Sequence, residues 1–176
     1  MKTKLRRSRG NNRTEQMVAE TAAWVPNALD GDELAPALLG APLFAGMAAA
    51  EVTSALAEFD PVRFPSGRRV VLEGLRGSDF FVIVTGSVSV LIGGWTVAKL
   101  GPGDFFGEVA ILGDGMRSAS VRSDTPLHCL VLPNGRLEDL LLAHPQMGLN
   151  LLHTVVGRFQ EMTGRRQPPA IEFAAS

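Results

Sequence analysis

A chain of 176 residues, 45% hydrophobic and 20% charged, has room for one domain with a real core plus tails. Those fractions exclude a wholly disordered chain, and a single cysteine, Cys129, excludes an intrachain disulfide. The formal net charge of −1 conceals a split: Lys2, Lys4, Arg6, Arg7, Arg9 and Arg13 crowd the first 13 residues without an acid, so the remainder is acidic.

Residues 1–33 read as a flexible basic arm, with a short helical piece around Trp24 in 19–26. Six cations without interleaved aromatics offer nucleic acid or an anionic membrane only sequence-independent attraction, and a solvated arm is the simpler expectation. Residues 34–50, LAPALLGAPLFAGMAAA, carry no charge. They are too short to span a membrane and are broken by Pro36, Gly40, Pro42 and Gly46. Their position does not suit a secretory signal, and no apolar segment follows Arg6–Arg7, so the expected location is cytoplasmic. From Asp32 the chain is alanine-rich and helical in character. Val52, Leu56 and Phe59 give 47–59 one apolar face, and Pro61 is expected to end that helix.

The texture changes over 62–132, which is rich in Val, Ile, Phe and Thr and punctuated by glycine. Short strands with regular turn signals predict an all-β sandwich or barrel. FFVIVTGSVSVLI holds two strand-like runs joined at Thr85–Gly86, and VLIGGWTVAKL is a hairpin about Gly93–Gly94, whose turn requires positive φ. Trp95 in that hairpin is expected to pack rather than to act as a lid. Cys129, within LHCLVL, reads as a small core residue.

Helix returns after Pro133, with Asn134 as N-cap of LEDLLLAH and Pro145 opening a final helix that Gly164 ends. Leu149, Leu152, Val156 and Phe159 form one narrow stripe on it. That stripe is expected to pack on the β structure; a homodimer seam is the alternative.

One stretch, FGEVAILGDGMRSASV, breaks the apolar texture with Glu108 and Arg117. EVAIL has helical character for about one turn, and the first amides of a short helix point the same way and favour an anion. Arg117 adds a planar fork for phosphate oxygens, and Ser118 a hydroxyl. Glu108 is repelled by phosphate but can accept from a sugar hydroxyl. Phosphate plus ribose describes a nucleotide.

The ordered set FPSG, VLEG, VTGSVSV, GDFFGE and RSASV resembles the cyclic nucleotide-binding domains, over roughly residues 38–165. The resemblance implies a mainly β fold, an antiparallel jelly-roll β-barrel with N-terminal helices and two C-terminal helices, the domain running over 34–165 and leaving 166–176 as a tail. It implies that Phe106, Gly107, Glu108, Val109 and Ala110 surround the ribose and phosphate. Glu108 would take the 2′-hydroxyl, Arg117 the cyclic phosphate, and Ser118 and Ala119 would complete the cradle. The GRFQEMT segment is similar to the last helix of the bacterial catabolite activators, which implies Arg158 near Glu108 and Thr163 near the purine. Met116 stands where many members have proline. Ser118 tilts the expected ligand towards cAMP over cGMP, and a chain without tyrosine supplies no tyrosine cap for the base.

No metal is expected. A jelly-roll metalloenzyme needs several ligands from neighbouring strands, and the β region holds only His128. No feature indicates catalysis; His128 and His153 read as packed or exposed. With only RRQPPAIEFAAS after Gly164, the expectation is a stand-alone cyclic nucleotide sensor acting on an unidentified effector protein, without specific DNA binding or a membrane span. The alternative is a ligand-free jelly-roll scaffold or interaction module.

Overall fold

The computed structural model describes residues 31–164 apart from 134, so the basic arm through residue 30, the Trp24 helix and the Asn134 cap lie outside the described residues. Three short helical segments come first: α1 (Gly31–Leu38), a 3-10 turn (Pro42–Phe44) and α2 (Ala49–Leu56). Eight strands follow: β1 (Asp60–Phe64), β2 (Arg69–Val71), β3 (Phe80–Thr85), β4 (Val88–Ile92), β5 (Trp95–Leu100), β6 (Phe105–Phe106), β7 (Ser120–Ser123) and β8 (Leu127–Leu132). One short helix, α3 (Glu108–Leu112), separates β6 from β7, and α4 (Leu137–Ala143) and α5 (Pro145–Met162) close the order.

The strands pair in nested fashion, β1 with β8, β2 with β7, β3 with β6 and β4 with β5, all antiparallel. That nesting is the wrapping of a jelly roll. The expected barrel is resolved into two four-stranded sheets, β1-β8-β3-β6 and β2-β7-β4-β5. The predicted hairpin closes at Gly93 and Gly94, both at positive φ.

Two cores flank the first sheet. Phe81, Ile83, Val121, Cys129 and Val131 meet between the sheets. Phe80, Val82, Val84, Leu130 and Leu132 point the other way, against Phe44, Val52, Leu137 and Met147 of the helical layer. Successive side chains of a strand alternate faces, so burial on both faces explains why β3 and β8 read as unbroken apolar runs. Among the described residues no helical side chain belongs to the core that the second sheet shares, and β5 is exposed from Trp95 to Lys99. Trp95 is 80% exposed, which corrects the expectation that it packs.

Two further expectations are corrected. Helix α2 ends at Leu56, well before Pro61, which lies in β1; that strand pairs only with β8, and an edge strand tolerates a residue without an amide hydrogen. The stripe Leu149, Leu152, Val156 and Phe159 does not pack on the β structure and is 44–64% exposed. Helix α5 seats instead through Met147, Asn150, Leu151 and Val155, and the Asn150 amide donates to the carbonyls of Leu43 (3.0 Å) and Ala45 (2.8 Å). At 3.6 residues per turn the two faces are roughly 150° apart.

Candidate functional site

The turn from β6 into α3 fixes the site. Gly107 holds φ +97°, and a Cβ there would stand 2.6 Å from the Asp79 carbonyl oxygen and 2.9 Å from Arg117 Nη1. Only glycine lets the chain turn so close to that guanidinium. The Arg117 backbone is tied to the β2–β3 loop: Gly74 N–H donates to Arg117 O (2.8 Å), Arg117 N–H to Leu75 O (2.8 Å) and Gly77 N–H to Gly115 O (3.1 Å). At Gly77 a Cβ would overlap the Arg117 guanidinium.

Arg117 is only 7% exposed. Its Nη1 donates to Gly107 O (3.0 Å) and its Nη2 to Asp79 O (2.9 Å), and the group lies 6.0 Å from the Phe81 ring centre. Burial pulls its pKa down, while the charges of Asp79 and Glu108 push it back up. A guanidinium stays protonated under such influences and has five N–H groups, so two bonds to carbonyls leave donors for an anion. The cavity beside it measures about 460 Å3 and has Val71, Leu72, Leu75 and Phe81 in its wall.

Glu108, the first residue of α3, is 5% exposed. Burial raises its pKa; Arg158, its own backbone amide and Arg117 oppose that shift. Oε1 lies 3.6 Å from Arg158 Nη1, and Oε2 is buried with no hydrogen-bond donor among the described residues. A buried carboxylate oxygen lacking a donor is costly and needs a ligand or water to complete it. Arg158 closes this end of the site. Its Nη1 donates to Phe105 O (2.7 Å), its guanidinium lies 4.4 Å from the Phe105 ring centre, and Nη2 is 3.6 Å from Asp104 Oδ1.

The fold thus brings Gly107, Glu108, Arg117 and Arg158 together. Ala110 is buried, and Val109 is 48% exposed. Ser118 is exposed and Ala119 half-buried, on the segment after Arg117. The Phe106 side chain packs behind the site: its ring stacks at 4.7 Å on Phe81 in the core between the sheets, so it is a packing residue. Thr163 is exposed at the end of α5, where its hydroxyl donates to Phe159 O (2.9 Å). Sequence reasoning passed over Asp79, Asp104 and Phe105. Two of them act through backbone carbonyls, which leave no mark in residue type, although GDFFGE already contained Asp104 and Phe105. Among the described residues no group of three His, Cys, Asp or Glu side chains could hold a metal ion. Cys129 is buried with its thiol pushed up to about 12, far from a reactive thiolate.

The family model for the cyclic nucleotide-binding domain matches residues 61–144. Those residues belong to that family. The domain is 33% identical over 127 residues to the cyclic AMP receptor protein of Thermus thermophilus, covering 69% of this chain and 59% of that protein. It is 40% identical over 93 residues to glutaminase 2 of Bradyrhizobium diazoefficiens, covering 52% of this chain and 15% of the relative. The chain therefore spans less than two thirds of these curated relatives. Among solved structures, a cyclic nucleotide-binding domain from Methylobacillus flagellatus superposes with a TM-score of 0.64 at 28% identity, over 82% of this chain and 86% of that one. Among the described residues no helix is long and apolar enough to cross a membrane.

Proposed function

We propose that this protein is a cyclic nucleotide sensor rather than an enzyme, with cAMP as its ligand. The observation that carries this reading is Glu108 Oε2, a buried acceptor without a donor in the same site as the Arg117 guanidinium. A ribose 2′-hydroxyl would supply the missing donor, and the remaining Arg117 N–H groups would hold the cyclic phosphate. The receptor from Thermus thermophilus is named for cyclic AMP, and Ser118 follows the phosphate arginine here; both favour cAMP over cGMP. The sensing unit is taken as residues 34–165, between the basic arm and the tail.

Signalling would run through α5. Arg158 ties that helix to Glu108 and Asp104, so a ligand that engages Glu108 changes what holds the helix. The helix then shifts between two positions in proportion to the ligand's preference for one of them. Its exposed stripe, extended by Met162, would pair with a second copy or an effector protein. The deciding experiment is calorimetric titration with cAMP and cGMP of the protein and of Arg117→Ala. We expect one-site binding, tighter for cAMP, that Arg117→Ala weakens by about 1.5–3 kcal/mol, roughly ten- to hundredfold. Folded protein giving no heat with either nucleotide overturns the reading and leaves a scaffold.

A further inference from the structure

The wall of the cavity beside Arg117 holds three more arginines, Arg68, Arg69 and Arg76, and a single carboxylate, Asp79. A phosphate bound at Arg117 needs none of the three. Among the described residues the side chains of Arg69 and Arg76 form no ion pair or hydrogen bond. Arg69 stands directly opposite Arg122 across the β2–β7 pair, and like charges in that register destabilise a sheet. The Arg76 backbone faces Met116 in an antiparallel bridge, one residue from Arg117, and its Nη1 lies 3.4 Å from a Cβ position built on Gly115. Of the two acids three residues from Arg76, Glu73 has its Oε2 occupied by the Gly93 amide at 2.9 Å, and Asp79 is the carboxylate of this wall. Two apolar side chains of the same wall, Leu72 and Leu75, are 39% and 40% exposed, a surface suited to a flat base.

We propose that this cavity is a second anion subsite, in which Arg69 and Arg76 hold a second phosphate of a nucleotide larger than a cyclic mononucleotide. A cyclic dinucleotide has that chemistry: one phosphate and ribose for Arg117 and Glu108, the other phosphate for Arg69 and Arg76, and a second base for Leu72 and Leu75. The volume of about 460 Å3 lies within the range of small-molecule sites. An anion there also relieves the repulsion between Arg69 and Arg122. This inference rests on Arg117 being a phosphate ligand, as proposed above.

The test is calorimetry with cAMP, cGMP, cyclic di-AMP and cyclic di-GMP on the full chain and on the double variant Arg69→Gln/Arg76→Gln. Both positions are exposed, and thermal unfolding is to check that the variant is folded. At least one dinucleotide should bind about tenfold or more tighter than either mononucleotide, and the double variant should remove that advantage while leaving mononucleotide affinity within about twofold. Dinucleotides that bind no tighter than cAMP, or a variant that weakens both classes alike, overturn the subsite and leave the mononucleotide reading standing. No heat with any of the four overturns both.

Discussion

Arg158 on the last helix and Glu108 on α3 approach to 3.6 Å without forming a hydrogen bond, so an ion pair of loose geometry joins α5 to the site. Glu108 is the more buried partner, and its pKa is raised first by burial, with Arg158 the largest opposing influence. A carboxyl whose folded pKa is raised contributes stability that is fully present below the unfolded value of 4.5 and lost as pH rises through the folded value. Removing Arg158 lifts the folded value further. The variant Arg158→Ala should therefore lose about 1–3 kcal/mol at neutral pH, less than a fully buried hydrogen-bonded pair, and the deficit should shrink on acidification. Thermal unfolding of both proteins between about pH 4 and 8 checks this. A deficit that is the same at every pH would mean that the lost stability comes from the Phe105 contacts, the carbonyl hydrogen bond and the ring, and not from Glu108.

Gly107→Ala tests how the site is built. The added Cβ meets the Asp79 carbonyl and the Arg117 guanidinium at a φ that side chains disfavour. Strain of this kind costs about 1–3 kcal/mol, which urea denaturation reads directly. Because relief requires Arg117 to move, cAMP affinity should fall by at least tenfold in the folded variant, about 1.4 kcal/mol. Unchanged affinity would show that Arg117 does not have to sit where it does.

Asn150 anchors α5 at its other end. It is 8% exposed, and its amide serves two carbonyls in and after the 3-10 turn. Asn150→Leu leaves both oxygens without that donor, and a buried polar group so stranded costs about 1–3 kcal/mol. Hydrogen exchange should rise in Pro42–Phe44 and the first turns of α5, while the β4–β5 hairpin stays as protected as before. Uniform loosening of the whole chain would argue against a local anchor.

The same residue shows why sequence reading chose the wrong face of α5. The buried face carries Asn150 and Arg158 among Met147, Leu151 and Val155, whereas the exposed face carries Leu149, Leu152, Val156 and Phe159 without interruption. Apolar periodicity finds the cleaner stripe, and here the core-facing stripe is the one broken by polar side chains that satisfy backbone carbonyls. The strands were legible because alternation and turn glycines are local signals, as at Gly93–Gly94. Trp95 was not, since the exposure of β5 depends on what packs against the second sheet, which no local pattern shows. At the site, Glu108 and Arg117 announced themselves as charges in apolar surroundings. The oxygens that position Arg117 belong to Gly107 and Asp79 main chain, which no residue pattern reveals.

That exposed face supports the last prediction. Leu149, Leu152, Val156, Phe159 and Met162 are each 44–64% exposed on one 18-residue helix. Residues recurring at three and four along a helix form the kind of seam that a second parallel or antiparallel copy covers. Phe159→Asp places a charge in the middle of it and touches nothing in the buried face. If two copies pair through α5, light scattering with size-exclusion chromatography should give a dimer for the protein and a monomer for the variant at micromolar concentration. The variant should also melt at a temperature independent of its concentration, while the parent's melting temperature rises as the protein is concentrated. A parent that runs as a monomer at every concentration would instead assign the stripe to an effector protein, and the same substitution would then leave self-association and thermal stability untouched.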